Sequence, residues 1–367
     1  MRKDWEYKKW ADVLTIINGK NQKAVESIDG TYPIYGSGGI MGYANDWLCP
    51  ENCTIIGRKG NINKPIFVES KFWNVDTAFG LNSNQNLLAS KYLYYFCLNY
   101  DFNRHNKAVT IPSLTKVDLL KIEMPLPPKP TQLAIVAELD KINELIQLKK
   151  QQLKDYDQLA QSIFYEMFGD PVENEKGWKV KKLEEAVAAS CTISYGIVQP
   201  GEHVLNGVPI VRPIDLGNTF IKTKDLKCTT IEISNGYSRT ILTGDEILVC
   251  VRGTTGILSL ATSELKGCNV TRGITPLLFD INNKWFMYAQ LKTPSIQHII
   301  ANNTKGIALK QINMGDFRNI RIILPPLPLQ QQFAARIEAI ERQKQQVSET
   351  IKDLETLLAS RMQYWFD

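Results

Sequence analysis

The chain contains the same unit twice, and this duplication constrains its fold more than any other property. Trp5-Glu6-Tyr7-Lys8-Lys9-Trp10 is echoed 173 positions on by Trp178-Lys179-Val180-Lys181-Lys182-Leu183. Leu126-Pro127-Pro128-Lys129-Pro130-Thr131-Gln132 is echoed 198 positions on by Leu324-Pro325-Pro326-Leu327-Pro328-Leu329-Gln330. The larger offset then persists, pairing Ser162 with Ser360 and Phe168 with Phe366. The offset grows by 25 between the two matches, so the second half is the same unit with about that many extra residues in its globular part.

Each unit has one order: a mixed globular segment, a proline-rich stop, then a long periodic stretch. Two adjacent prolines end a strand and forbid a helix through them. Beyond them, residues recur at alternating spacings of three and four. In the first copy these are Ile135, Leu139, Ile142, Ile146, Lys149, Leu153, Tyr156, Ala160, Ile163 and Met167. In the second they are Phe333, Ile337, Ile340, Lys344, Val347, Ile351, Leu354, Leu358, Arg361 and Trp365. A heptad seam sustained for about five heptads predicts a coiled coil. Each seam carries a central lysine, Lys149 or Lys344, which weakens packing and helps to set register. Gly169 followed by Pro171 predicts the end of the first helix. A helix from Thr131 to Phe168 is about 57 Å long at ~1.5 Å per residue. Two seams in one chain most simply pair with each other. Because the second globular segment starts where the first helix ends, the pairing is expected to be antiparallel.

The globular segments read as short strands broken by glycine turns, with some helix. Tyr32 to Tyr43 is a strand–turn–strand, and Ala89 to Tyr100 is aromatic and helix-like. Thr54-Ile55-Ile56-Gly57-Arg58-Lys59-Gly60-Asn61 is an apolar strand breaking into a basic glycine turn. Ile247-Leu248-Val249-Cys250-Val251-Arg252-Gly253-Thr254-Thr255-Gly256 matches it in the second copy, and Asn74-Val75 has a counterpart in Asn269-Val270. Glycine lets a backbone approach a ligand closely. An adjacent arginine offers a two-pronged donor for a phosphate or a guanine edge. The bland alternative is a plain turn with an exposed arginine, and one turn alone does not decide between the two. The fold class expected is α/β (α+β), a mixed module present twice with two long helices.

Composition excludes more than it identifies. The 367 residues are 44% hydrophobic and 22% charged, with a net charge of +5, an ordinary balance that tolerates a polyanion partner without requiring one. No apolar run reaches the ~18 residues of a membrane helix, and the start, Met1-Arg2-Lys3-Asp4-Trp5-Glu6, lacks the apolar core of a secretory signal. A cytoplasmic location and no membrane contact follow by default. The seven cysteines are scattered, with Cys49 and Cys53 the nearest pair, and no Cys-x-x-Cys or neighbouring histidine completes a zinc site. No metal site is expected, and the three histidines lie far apart in sequence. Gly36-Ser37-Gly38-Gly39 has neither spacing of a nucleotide loop. The Glu184-Glu185 pair reads as solvated surface.

Taken in order, several motifs resemble the specificity subunits of type I restriction–modification systems. They are Tyr32-Pro33-Ile34-Tyr35-Gly36-Ser37-Gly38-Gly39-Ile40-Met41-Gly42, Ile55-Ile56-Gly57-Arg58-Lys59-Gly60, Lys91-Tyr92-Leu93-Tyr94-Tyr95-Phe96 and Ile111-Pro112-Ser113-Leu114. Pro125-Leu126-Pro127-Pro128 with Gln132, and Phe164-Tyr165-Glu166-Met167-Phe168-Gly169-Asp170-Pro171, complete the set. Each is weak alone; their order and the duplicated proline-to-helix junction are specific, and the resemblance covers nearly the whole chain. The chain is short for that family.

The resemblance implies a first target-recognition domain over 1–128, a spacer helix over 129–169, a second recognition domain over 170–326 and a second spacer helix over 327–367. Each recognition domain would read a few base pairs of a bipartite, asymmetric site on double-stranded DNA. The resemblance also implies two modification (methyltransferase) subunits as partners and, through them, restriction (translocase/endonuclease) subunits. S-adenosylmethionine, ATP and magnesium would then belong to those partners, with no cofactor and no catalytic residue in this chain. In keeping with that, the sequence has no Asn-Pro-Pro-Phe or Asp-Pro-Pro-Tyr methyltransferase loop and no Walker A lysine loop.

The residues expected at DNA are Arg58, Lys59, Arg104 and Lys107 in the first copy, and Arg252, Thr254, Thr255 and Arg272 in the second. The residues expected to hold the helix seam are Ile135, Leu139, Ile142 and Leu153 with Ile337, Ile340, Val347, Ile351 and Leu354. Two rivals remain open at this point. One is a DNA-modifying enzyme with its own catalytic centre. The other is a coiled-coil adaptor with globular ends that never touches DNA, and steep salt dependence would separate a DNA reader from it.

Overall fold

A computed structural model describes residues 5–106, 111–306 and 310–367. Contacts group the chain into two compact units. The first takes Met1–Gln151 and Val347–Asp367, and the second takes Gln152–Gln346. Each unit therefore contains the start of one long helix and the end of the other.

The two sequence matches turn out to be two edges of one ribbon. In the first unit Glu6–Lys9 pairs antiparallel with Glu123–Leu126, Glu6 opposite Leu126 and Lys9 opposite Glu123. In the second, Lys179–Lys182 pairs with Arg321–Leu324 in the same way. The tryptophan-led motif and the run into the prolines thus close each globular module on itself.

Inside the first module a four-stranded antiparallel sheet runs in the order Leu14–Asn18, Ala78–Ser83, Cys53–Gly57, Ile66–Val68. Cys53–Gly57 is buried along its whole length, as expected for a short apolar run flanked by strands on both sides. A second sheet pairs Tyr32–Gly36 antiparallel with Gly39–Ala44 and parallel with Trp73–Asn74. The aromatic helix Ser90–Asn99 lies on the core, with Tyr92, Leu93, Tyr95 and Phe96 buried among Trp10, Phe79 and Leu81.

The second module repeats this plan. Ile247–Cys250 is the buried centre between Leu258–Leu260 and Ile274–Leu277, and Val208–Val211 joins Lys227–Thr229 and Asn269–Val270. Helix Lys284–Lys292 takes the place of the aromatic helix, followed by Pro294–Asn302.

The long helices run Lys129–Phe168 and Leu327–Phe366. Pro130 and Pro328 each sit at the second helical position, where a missing N–H costs nothing. Gly169, at φ +76°, ends the first helix in the left-handed conformation that glycine tolerates. Within the first unit the helix segments are antiparallel: Arg361 meets Glu138 while Glu355 meets Lys150. Ile135, Leu139 and Ile142 are buried there, with Val347 and Ile351, while Leu354 is half-buried; Leu153, in the second unit, is half-buried too. Ile337 and Ile340 are buried in the second unit. At the end of the first helix the buried stripe leaves the heptad positions Ile163 and Met167 and moves to Phe164 and Phe168. A helix of 3.6 residues per turn drifts against a 3.5 repeat. Here the drift turns two phenylalanines onto Phe286 and Phe333, with ring centroids 4.8–5.8 Å apart. Burying each phenylalanine is worth about 1.5–3 kcal/mol.

All seven cysteines are free thiols. No helix among the described residues is long and apolar enough to cross a membrane.

Candidate nucleic-acid interface

In the first unit the buried strand Cys53–Gly57 emerges into Arg58-Lys59-Gly60-Asn61, and the emerging turn is pinned from two sides. The N–H groups of Arg58 and Lys59 donate to Thr77 O at 2.8 and 3.2 Å. Gly60 N–H donates to Pro112 O at 3.0 Å, and Leu114 N–H donates to Arg58 O at 2.9 Å. Gly60 has φ +78° and nothing within 4 Å of where a β-carbon would stand, so the turn is left-handed and open on its outer side.

Arg58 is half-buried, its guanidinium 5.7 Å from the Phe79 ring centre, whereas Lys59 is exposed. Asn63, just past the turn, accepts from Phe102 N–H at 2.8 Å and donates to Asp101 at 3.0 Å, which ties the turn to the segment carrying Arg104. Hydrogen bonds from Asn103 N–H and Asn63 hold the Asp101 carboxyl below its ordinary value, so it stays charged. Arg104 is exposed beside the Tyr100 ring at 5.9 Å. Lys107 lies outside the described residues.

The second unit builds the same turn with counterparts of three of those four bonds. Val251 N–H donates to Gly273 O at 2.8 Å, Gly253 N–H to Lys310 O at 2.8 Å, and Ile312 N–H to Val251 O at 3.0 Å. Gly253, at φ +94°, is again left-handed with open space outside it. Residue by residue, these bonds equate Val251 with Arg58, Arg252 with Lys59, and Gly253 with Gly60. Arg252 is therefore the counterpart of Lys59, one position away from the arginine-to-arginine match that the sequences suggest. Bridge pairing says the same: Lys59 stands opposite Ser113, and Arg252 opposite Gln311.

Gln311, whose backbone bridges Arg252, reaches the Tyr195 ring that lies beside Arg272. Gln311 Nε2 donates to the Tyr195 hydroxyl at 2.6 Å, and the Arg272 guanidinium lies 5.9 Å from the Tyr195 ring centre. Arg252, Thr255 and Arg272 are half-buried and Thr254 is exposed. The Thr255 hydroxyl is 2.9 Å from that of Thr304, so it is partly engaged inside the protein. Lys310, Gln311 and Tyr195 were not among the residues singled out from the sequence. The signal was present: the 198-residue offset of the helices already holds at Pro112–Leu114 and Lys310–Ile312.

Each unit thus presents a rigid cationic turn with an open glycine backbone. Lysine and arginine there can meet phosphates, and the outward backbone permits close approach. No group of three or more His, Cys, Asp or Glu residues among the described ones is placed to hold a metal ion.

Residues 2–155 and 175–356 match the family profile described as the type I restriction modification DNA specificity domain. The chain is similar to the EcoBI specificity subunit of Escherichia coli, 22% identical over 341 residues, spanning 85% of this chain and 71% of that one. It is similar to the MjaIX specificity subunit of Methanocaldococcus jannaschii, 24% identical over 283 residues, spanning 69% and 62%. Among solved structures, the S subunit of a type I restriction–modification system from M. genitalium covers all of this chain and 98% of its own, with a TM-score of 0.59 at 14% identity. A chain from a study of type I R-M complex assembly and conformational transition covers 99% and 97%, with a TM-score of 0.58 at 17% identity. At those identities the likeness is one of fold.

Proposed function

This chain belongs to the type I restriction modification DNA specificity family, and we propose that it reads a bipartite, asymmetric site on double-stranded DNA, one block per globular module. The observation that carries this reading is the cationic turn built twice with the same backbone bonds, Gly60 N–H to Pro112 O and Gly253 N–H to Lys310 O. A homodimer would present two identical readers and favour a palindrome. Here two unlike modules on one chain allow the two blocks to differ.

In this reading residues 1–128 and 170–326 are the target-recognition domains, and 129–169 and 327–367 are the spacer helices. Lys59, Arg104, Arg252 and Arg272 supply phosphate contacts, which set affinity and register but carry no sequence information themselves. The chain has no catalytic role of its own. It directs two modification subunits and, through them, restriction subunits in the cytoplasm. Those partners bring S-adenosylmethionine, ATP and magnesium.

The test is co-production of the chain with its modification subunit, followed by mapping of methylated positions in host DNA. The expected result is a motif of two short defined blocks separated by a fixed gap. A complex that assembles and methylates without any two-block motif overturns the reading.

A further inference from the structure

The two modules share the cationic turn but differ sharply in what lies against it. In the first module the neighbour is the hairpin joining Tyr32–Gly36 to Gly39–Ala44, whose turn is Ser37-Gly38. A methyl group built on Gly38 would stand 3.9 Å from Asn61 Nδ2, which places the hairpin tip beside the cationic turn. In the second module the corresponding strands, Val208–Val211 and Lys227–Thr229, are joined by the much longer connection 212–226. It too lies against the turn: a methyl on Gly273 would meet Pro213 Cγ at 2.5 Å and Arg252 O at 3.4 Å.

The short hairpin carries a bulge. Ile34 faces Gly42 and Tyr35 faces Ile40, so Met41 has no partner on the opposite strand. A bulge breaks the alternation of a strand and re-aims side chains. Here it leaves two consecutive apolar residues outside, Ile40 at 55% and Met41 at 61% exposure. Met41 is nonetheless seated: its sulfur occupies the space a β-carbon on Gly36 would need, 2.6 Å away.

The long connection presents different chemistry at the same place. Arg212 is held by Asp215 through Nε at 3.1 Å and a second nitrogen at 3.0 Å, and Ile214 projects at 78% exposure.

We infer that the hairpin tip with the bulge just after it, Ile40–Met41 in the first module, and the start of the long connection, Arg212–Ile214 in the second, are the elements that read bases, while the shared turn beside them holds phosphate. Resting on the function proposed above, the argument is one of division of labour. Phosphate contacts are the same on every sequence, so two readers of different blocks can keep them identical; base contacts cannot be shared in that way. The turn is the part built alike, and the connection beside it is the part built differently. Ile40 and Met41 offer apolar contact of the kind that thymine methyl groups reward in the major groove.

The experiment uses the whole chain with its modification subunits and maps methylation in vivo for the wild type, for the double variant Ile40→Ala/Met41→Ala, and for Ile214→Ala. The inference expects the double variant to lose discrimination at one or two positions of one block, on the order of tenfold, with the other block unchanged. It expects Ile214→Ala to disturb only the other block. All three side chains are exposed, and matching melting curves show that any change is not misfolding. The inference is overturned if both blocks keep their discrimination in the variants, or if methylation falls equally at all sites with the motif intact. A wild-type chain that yields no two-block motif overturns the proposed function itself, and this inference with it.

Discussion

The backbone N–H of Ala89 donates to the side-chain Oε1 of Gln132 at 2.8 Å, and this one bond fastens the start of the aromatic helix to the start of the long helix. The same glutamine donates to Leu87 O and Pro127 O, both at 2.9 Å, so both of its N–H donors and its carbonyl oxygen are engaged in a buried site. Gln330 repeats the device, accepting from Asn283 N–H at 2.9 Å and donating to Pro325 O at 2.8 Å and Asn282 Oδ1 at 3.3 Å. The glutamine that ends each proline motif is therefore a latch between module and helix.

Replacing Gln132 by Leu should strand one donor and two acceptors. A buried unsatisfied group costs about 1–3 kcal/mol, so the melting temperature should fall by several degrees. Thermal unfolding followed by circular dichroism checks this, and a melting temperature unchanged from wild type would show that the latch contributes nothing.

Glu138 accepts from the Arg361 guanidinium and, at 3.1 Å, from Trp365 Nε1. The hydrogen bond from Arg361 is the main cause holding its carboxyl below the ordinary 4.5. A carboxyl with a depressed folded pKa contributes stability that is present above its unfolded pKa and is lost as pH falls through the folded value. Wild type should lose more melting temperature than Glu138→Gln when pH is lowered below 4.5. Equal losses in the two proteins would rule this pairing out as a source of acid sensitivity.

Lys344 and Glu341 have only 14% and 11% of their side chains exposed, and they lie 2.7 Å apart, with Asp157 2.8 Å from the same ammonium. Removing one partner of a buried pair leaves an uncompensated charge, a cost of about 3–5 kcal/mol; replacing both by apolar residues is often neutral. Denaturant titration should therefore find Lys344→Met strongly destabilised and Lys344→Met/Glu341→Leu restored toward wild type. A double variant no more stable than the single one contradicts this account.

If Lys59 and Arg252 hold phosphates, alanine at either should weaken binding to matched and scrambled duplexes by the same factor. The slope of log affinity against log salt should become shallower by about 0.9 for each contact removed. Binding measured over a salt series on both duplexes decides it: a variant that loses affinity on the matched duplex alone is a base reader instead.

Much of the architecture was legible because it is written locally. The paired prolines stop a strand wherever they occur, the spacing of Ile135, Leu139, Ile142 and Ile146 specifies one helical face, and Gly169 ends the helix it follows. The basic turns were legible as glycine and cation beside an apolar strand. Their partners were less so. Gln311 meets Tyr195 across 116 positions of chain, and no periodicity marks such a pair. Placement of Lys107 lies outside the described residues.

The sequence by itself determined that one unit occurs twice, that each unit carries a long amphipathic helix after its proline motif, where each helix starts and where the first one stops. These follow from backbone sterics and from side-chain period, which act over a few residues. Only the tertiary structure decided that Arg252 answers to Lys59 rather than Arg58, that Met41 is the unpaired residue of a bulge, and that each compact unit draws on both helices. Those outcomes depend on which carbonyl a distant strand offers to a given N–H, and that choice is made only when the chain has closed its long-range pairs.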